Sequence, residues 1–113
     1  MDSCIFCKIA GGAIPSAKVF EDETVFAFRD IQPAAPVHIL VVPKQHVANV
    51  LEGTAISGLM EKLMAAAAAI ARQEGLDGPG FRLVVNTGED GGQSVGHLHV
   101  HILGGRVLSW PPG

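Results

Sequence analysis

The chain has 113 residues, of which 48% are hydrophobic, and its eight Lys and Arg against eleven Asp and Glu give a formal net charge of −3. This length suits a single domain over residues 1–113 with a modest core. The basic residues are scattered singly, so we expect no nucleic-acid partner, although backbone amides and imidazoles can still hold a small anion. No apolar run reaches the roughly 18 residues of a membrane span. The acidic start at residues 1–3 is unlike a signal sequence, so we expect a soluble cytoplasmic protein with no membrane partner.

The pattern of apolar residues predicts an α+β fold. Five segments have the alternation or the short apolar run of a strand: residues 18–21, 24–29, 37–42, 81–86 and 97–103. The first two form a hairpin over a tight turn at Asp22 and Glu23. Residues 54–74 carry apolar side chains at helical spacing, with Thr54 as the expected N-cap and Gly75 as the expected terminator.

Three histidines, His97, His99 and His101, alternate with Leu98 and Val100 in the last predicted strand. In a strand these rings would share one face at intervals of roughly 6.5 Å, while the two aliphatic residues face the core. A row of titratable rings costs desolvation and is not needed for folding. The row therefore indicates chemistry, either a three-His metal site or a nucleophile with supporting groups.

The segment between the last two predicted strands, residues 87–96, contains four glycines in ten residues. A flexible hairpin connection would by itself explain these glycines. Beside the histidine row, however, glycine amides can approach an oxyanion closely and the Ser94 hydroxyl can add a hydrogen bond. The loop is therefore a candidate phosphate cradle.

A second chemical signal is the pair Cys4 and Cys7, separated by two residues. A structural disulfide is not expected in a cytoplasmic protein, and no βα pattern follows that would indicate a redox pair. A tetrahedral metal site needs two more ligands, and His46 and His97 are available. Two free cysteines without a role remain the alternative.

With these motifs, the chain resembles the histidine triad nucleotide-binding proteins. Their signature, His-x-His-x-His followed by aliphatic residues with x also aliphatic, is met at residues 97–103. The resemblance extends over residues 5–9, 27–31, 36–44, 84–86, 91–95, 104–106 and 110–113. The ending separates this branch from the dinucleoside polyphosphate hydrolases of the same superfamily.

The resemblance implies a five-stranded antiparallel sheet with one long helix and a short N-terminal helix. It also implies a homodimer with a continuous ten-stranded sheet and the long helix at the interface. The alanine run at residues 65–69 would permit close approach there, although high helix propensity alone explains it equally well.

The implied activity is hydrolysis of a purine nucleoside 5′-phosphoramidate, typically of adenosine, at the α-phosphorus. His99 would attack phosphorus and form a nucleotidyl-histidine intermediate that water resolves, with its Nδ1 proton donated to a backbone carbonyl. His101 and the amides around Gln93 and Ser94 would hold phosphoryl oxygens, and Ser94 or His101 would pass a proton to the departing amine.

The remaining roles also come from the resemblance. Asp30 would accept both ribose hydroxyls, although an Asp that initiates a turn before Pro33 explains it comparably well. Asn86 would contact phosphate or sugar. The base would lie between apolar walls formed by Ile5, Phe6, Ile9, Phe28, Ile31 and Leu40.

Some prokaryotic histidine triad proteins are similar in binding zinc at the positions of Cys4, Cys7, His46 and His97. Such a site is coordinatively full and therefore structural, which implies turnover without a metal cofactor. One alternative activity is that of a nucleotidyltransferase or a dinucleoside polyphosphate hydrolase of the same superfamily. A non-catalytic, nucleotide-binding regulatory module is the alternative outside catalysis.

Overall fold

The computed structural model describes residues 3–113, and Met1 and Asp2, which contribute to the expectation about a signal sequence, lie outside the described residues. Helices and strands follow one another along the chain in this order: α1 (Ile5–Ala10), β1 (Lys18–Glu21), β2 (Val25–Arg29), β3 (Val37–Pro43), α2 (Val50–Gly53), α3 (Leu59–Gln73), β4 (Phe81–Val84), α4 (Gly88–Gly91) and β5 (Val100–Gly104). None of the helices in residues 3–113 is long and apolar enough to cross a membrane.

The five strands form one sheet in the order β1-β2-β3-β5-β4. All neighbouring strands are antiparallel, with β3 paired to β2 on one side and to β5 on the other. The predicted α+β fold with a five-stranded antiparallel sheet is therefore confirmed. The strand ends differ from the predicted ones by up to three residues.

Both faces of the sheet are covered, which explains why β2 and β3 carry apolar side chains on both faces. Residues Val25 and Ala27 of β2 pack in the core beneath α3, whereas Phe26 and Phe28 pack on the opposite face with α1. Strand β3 alternates in the same way. The face that carries α1 is the one that holds the site described below.

The long helix α3 begins at Leu59, so the prediction that Thr54 is its N-cap was wrong. The shorter helix α2 precedes it, capped by the Asn49 side chain, which accepts a hydrogen bond from the Glu52 amide at 3.2 Å. Thr54 is the C-cap of α2, and Gly58, in the left-handed region at φ 77°, separates the two helices. Gly75 follows the C-cap of α3 at φ 75°, as expected of a terminator.

The alanine run of α3 is divided between the core and the surface. Ala66, Ala67 and Ala71 are buried in the core against the sheet, while Ala65 and Ala69 are exposed. Small side chains therefore let α3 lie close to the sheet on one side and leave a smooth surface on the other.

The last strand begins at Val100 and not at His97. The preceding residues leave the ladder because the Leu98 amide donates to the Val47 carbonyl at 2.6 Å, and because Pro43, where β3 ends, has no amide hydrogen to offer. The predicted alternation nevertheless holds. Leu98, Val100 and Ile102 are all buried in the core beneath α3.

Candidate active site and metal centre

A cavity of about 330 Å³ lies between α1, the end of β2 and the turn after it, the middle of β3, and the glycine-rich loop. The structure brings most of the predicted nucleotide and catalytic residues to its wall: Ile5, Phe6, Ile9, Phe28, Asp30, Ile31, Leu40, Ser94, His99 and His101. Ile31 is 95% exposed and lies at the rim, whereas Phe6 and Leu40 are buried. Two further predicted residues, Asn86 and Gln93, are not on the cavity wall.

Several residues of the wall were not predicted from the sequence: Ile14, Pro15, Ser16, Arg29, Gln32 and Val95. Three of them belong to the segment between α1 and β1, whose path over the cavity is set by packing. No local motif in the sequence marks them.

The His99 ring is buried and held in one tautomer. Its Nδ1 lies 2.7 Å from the backbone carbonyl oxygen of His97. Because a carbonyl only accepts hydrogen bonds, Nδ1 must carry the proton and donate it. In the neutral ring the lone pair is therefore on Nε2, which is the tautomer required of a nucleophile.

His101 is oriented by His38, a residue to which the sequence assigned no role. The Ala34 amide donates to Nδ1 of His38 at 3.0 Å, so the proton of His38 is on Nε2. That nitrogen lies 2.9 Å from Nδ1 of His101, to which it donates. The proton of neutral His101 must then be on its Nε2.

Nε2 of His101 is buried and has no hydrogen-bond partner among the described residues. A buried donor without a partner costs free energy, so this N–H is prepared for an acceptor such as a phosphoryl oxygen. Burial first, and then His99 and His38 nearby, lowers the pKa of His101 to about 4. The ring is therefore neutral near pH 7.

Asp30, His38 and His101 also come close enough to be considered as metal ligands. However, Nδ1 of His38 already accepts the Ala34 amide, so a metal on its Nε2 would require an imidazolate. The cluster is better described as a chain of hydrogen-bonded imidazoles.

Acid is expected to weaken the fold through His101. Its pKa is about 4 in the folded protein, below its ordinary value of 6.5, so the unfolded chain takes up a proton that the folded state resists. The contribution of neutral His101 to the stability of the fold is complete above pH 6.5 and is lost as the pH falls toward 4. Between pH 7 and pH 5 we expect this group to lower the free energy of unfolding by about 1 to 2 kcal/mol, measured by urea titration. In a His101→Asn variant the free energy of unfolding should fall less over this pH range. An equal fall in the variant and in wild type would contradict the assignment to His101.

Asp30 has the turn role considered for it, and its carboxylate also lies on the cavity wall. Oδ1 accepts a hydrogen bond from the Gln32 amide at 2.9 Å, which is the turn expected before Pro33. Oδ2 lies 3.5 Å from Nε2 of His38. The carboxylate is thus fixed at the cavity wall with one oxygen toward the histidines.

The side chain and the backbone amide of Gln93 are both used in hydrogen bonds that hold its own loop. Its Nε2 donates to the carbonyls of Ala48 and Val95 at 2.7 and 3.0 Å, and its Oε1 accepts from the Gly88 amide at 3.1 Å. Its backbone amide donates to the Gly88 carbonyl at 3.0 Å. Gln93 therefore shapes the loop. Of Gln93 and Ser94, which were both expected at the phosphate, only Ser94 reaches the cavity.

The four residues expected to bind zinc come together beside α1. Sγ of Cys4 lies 3.3 Å from Nδ1 of His97, and Sγ of Cys7 lies 3.3 Å from Nδ1 of His46 and 3.5 Å from Nδ1 of His97. Ligand bonds of about 2.3 Å to sulfur and 2.0 Å to nitrogen give S···N edges of about 3.5 Å in a tetrahedron. The donor set and its spacing therefore fit a tetrahedral zinc ion.

The protonation of His97 supports the same conclusion. Its Nε2 lies 2.9 Å from the Pro43 carbonyl, to which it must donate, so Nδ1 is free to bind a metal. Burial, with Cys4 next to it, raises the pKa of the Cys7 thiol, so metal binding there would release a proton.

The HIT domain sequence model matches residues 11–108 of this chain. The chain belongs to the HIT family. A HIT family hydrolase from Legionella pneumophila Philadelphia 1 has a TM-score of 0.94 and 48% identity to this HIT protein, covering 98% of this chain and 100% of that one. Adenylylsulfatase HINT1 of Arabidopsis thaliana is 49% identical over 96% of this chain and 76% of its own length. The 14 kDa zinc-binding protein of Brassica juncea is 49% identical over 96% of this chain and 98% of its own.

These comparisons confirm the resemblance to histidine triad nucleotide-binding proteins. In this HIT protein the three histidines of the signature are divided between two centres. His97 lies among the cysteines, whereas His99 and His101 line the cavity.

Proposed function

We propose that this HIT protein hydrolyses purine nucleoside 5′-phosphoramidates, with adenosine as the typical nucleoside, through a covalent intermediate on Nε2 of His99. The observation that carries the proposal is the 2.7 Å hydrogen bond from Nδ1 of His99 to the His97 carbonyl. It places the lone pair of the neutral imidazole on Nε2, at the cavity wall.

In the first step the Nε2 lone pair forms a bond to the α-phosphorus while the phosphorus–nitrogen bond breaks. The departing amine receives a proton from Ser94 or His101, and the Nε2–H of His101 holds a phosphoryl oxygen as charge develops. In the second step water attacks phosphorus and gives a proton to the group that protonated the amine, the bond to His99 breaks, and the nucleoside monophosphate leaves. No metal is needed for either step.

The cavity wall supports a nucleoside as the group that is bound. Phe6, Ile9 and Phe28 offer apolar surface to a purine ring. The Asp30 carboxylate lies on the same wall and suits two ribose hydroxyls. The α-phosphate would then lie against His99, His101 and Ser94.

Purified protein is expected to release the nucleoside monophosphate from adenosine 5′-phosphoramidate, measured by chromatography. Adenylyl sulfate is the second candidate substrate because a relative 49% identical is named adenylylsulfatase, and the same attack would expel sulfate. Preference for a dinucleoside polyphosphate, or transfer of the nucleotidyl group to a second phosphate, would favour the alternative activities. Binding of AMP with no turnover of any of these compounds would favour a regulatory module.

The proposal includes a homodimer with a continuous ten-stranded sheet. Strand β4 is at one edge of the sheet, with Phe81 39% exposed, and unpaired edge strands are ready to pair with another copy. The exposed Ala65 and Ala69 of α3 would allow a close contact with the partner. Light scattering should give twice the chain mass, and a monomeric mass at micromolar concentration would contradict it.

We also propose one structural zinc ion per chain, bound by the two thiolates and by Nδ1 of His46 and His97. Elemental analysis should find a zinc to protein ratio near unity. A Cys7→Ser variant should lose the metal and some thermal stability, because structural zinc binding contributes to folding. Full zinc retention in that variant would exclude this ligand set, and Lys8→Gln on the same helix is the matched control.

A further inference from the structure

Helix α1 is short, and two of its six side chains are buried. It has six residues, and an isolated helix of that length is not stable in water. Its buried residues are Phe6 and Ile9, which pack on the sheet face opposite α3. The position of α1 therefore depends on what its beginning is attached to.

The residues of the metal centre attach α1 to distant parts of the chain. Cys4 is the N-cap of α1, where its sulfur accepts a hydrogen bond from the Cys7 amide at 3.4 Å. Both sulfurs face imidazoles of His46 and His97, which lie far away in sequence. A metal ion shared by these four side chains closes long loops and fixes the start of α1 to the sheet.

The histidine side of this centre is fixed without the metal. The Leu98 amide donates to the Val47 carbonyl at 2.6 Å, and both of these residues are buried in the core beneath α3. The His97 carbonyl, which sets the tautomer of His99, belongs to this segment. Metal loss should therefore release α1 but leave the nucleophile in its place.

The residues between the two cysteines connect the metal centre to the cavity. Ile5 and Phe6 both line the cavity. The Phe6 ring lies edge to face with His97 at 6.0 Å and with His99 at 5.0 Å between ring centroids. Any movement of α1 therefore moves part of the wall against which the base would bind.

We propose that α1 is a positioning element for the nucleotide, and that the metal centre sets nucleotide affinity by holding α1 closed over the cavity. This inference rests on the proposed nucleotide site. If α1 is closed for a tenth of the time without metal, the apparent dissociation constant rises about tenfold. Because His99 keeps its hydrogen bond to His97, KM should rise while kcat changes little.

The test compares zinc-reconstituted wild type, the same protein after dialysis against a chelator, and a Cys4→Ser variant. Ser keeps an N-cap acceptor for α1 but removes a metal ligand. Hydrogen exchange of the amides at residues 5–10 and calorimetric binding of AMP are measured, together with kcat and KM. Lys8→Gln is the control, since Lys8 is exposed on α1 and belongs neither to the cavity wall nor to the four residues of the metal centre.

We expect chelation and Cys4→Ser to speed exchange in α1 and to weaken AMP binding about tenfold. Zinc should restore wild type but not the variant, and Lys8→Gln should behave as wild type. Unchanged exchange and AMP affinity after zinc removal would overturn the proposal, as would a loss confined to kcat. Should Cys4→Ser fail to fold, chelated wild type still decides the question. If zinc-bound wild type does not bind AMP, the proposed function fails, and exchange in α1 still shows whether the metal centre holds the helix.

Discussion

A His99→Ala variant is expected to lose phosphoramidate turnover by a factor on the order of 10⁴ or more, since a nucleophile has no substitute in a two-step reaction. Wild type mixed briefly with adenosine 5′-phosphoramidate should show a nucleotidyl adduct in intact-protein mass spectra. The adduct should be absent from the variant. Nucleotide binding should survive, because Phe6, Phe28 and Asp30 remain on the cavity wall.

A His101→Ala variant is the informative comparison for this experiment. It removes the unpartnered N–H from the cavity but leaves Nε2 of His99 and its hydrogen bond to the His97 carbonyl intact. The adduct should therefore still form, but slowly. An adduct of undiminished yield in His99→Ala would contradict the assignment of the nucleophile, and peptide mapping would show which residue carries it.

The alternation of side chains along the strands was the part of the fold that the sequence could predict well. Leu98 and Val100 face the core because consecutive residues of extended chain point to opposite sides. That rule needs no knowledge of which strand lies next. It therefore held even though the segment from His97 to His99 lies outside the ladder of β5.

Helix boundaries depended on information that local sequence does not hold. Thr54 is a good capping residue, but nothing around it shows that a separate helix, α2, comes first. That helix lies close to the core, since a Cβ on Gly53 would come within 2.8 Å of the Leu98 side chain. This tertiary contact and the left-handed Gly58 determine where α3 begins.

The sequence could predict site residues whose side-chain type implies a chemical role. It could not predict residues whose role depends on their hydrogen-bond partners in the folded chain. The spacing of Cys4 and Cys7 indicated metal ligands because thiolates paired with histidines have few other uses in such a pattern. Gln93 looked equally suitable as a phosphate ligand. Its backbone amide and its side-chain amide are instead used in hydrogen bonds to Gly88 and Ala48, which only the folded chain reveals.

His38 is the residue whose importance the sequence concealed, and we expect His38→Leu to lower kcat about 10²- to 10³-fold. Its Nε2–H fixes His101 in the tautomer that has a free N–H on Nε2. Leu has no donor, so the proton of His101 can move to Nδ1 and leave no N–H toward the phosphoryl oxygen. A wrongly held tautomer costs other histidine-dependent enzymes up to about 10⁴-fold in kcat.

His38→Gln separates this role from simple packing. The Gln amide nitrogen can still donate to Nδ1 of His101, so this variant should retain much more activity than His38→Leu, with KM little changed in both. Nitrogen chemical shifts of His101 should show the proton on Nε2 in wild type and in His38→Gln, and a mixture of tautomers in His38→Leu. Equal loss of kcat in both variants, with the His101 tautomer unchanged, would mean that His38 acts by filling space beneath the ring and not by directing its proton.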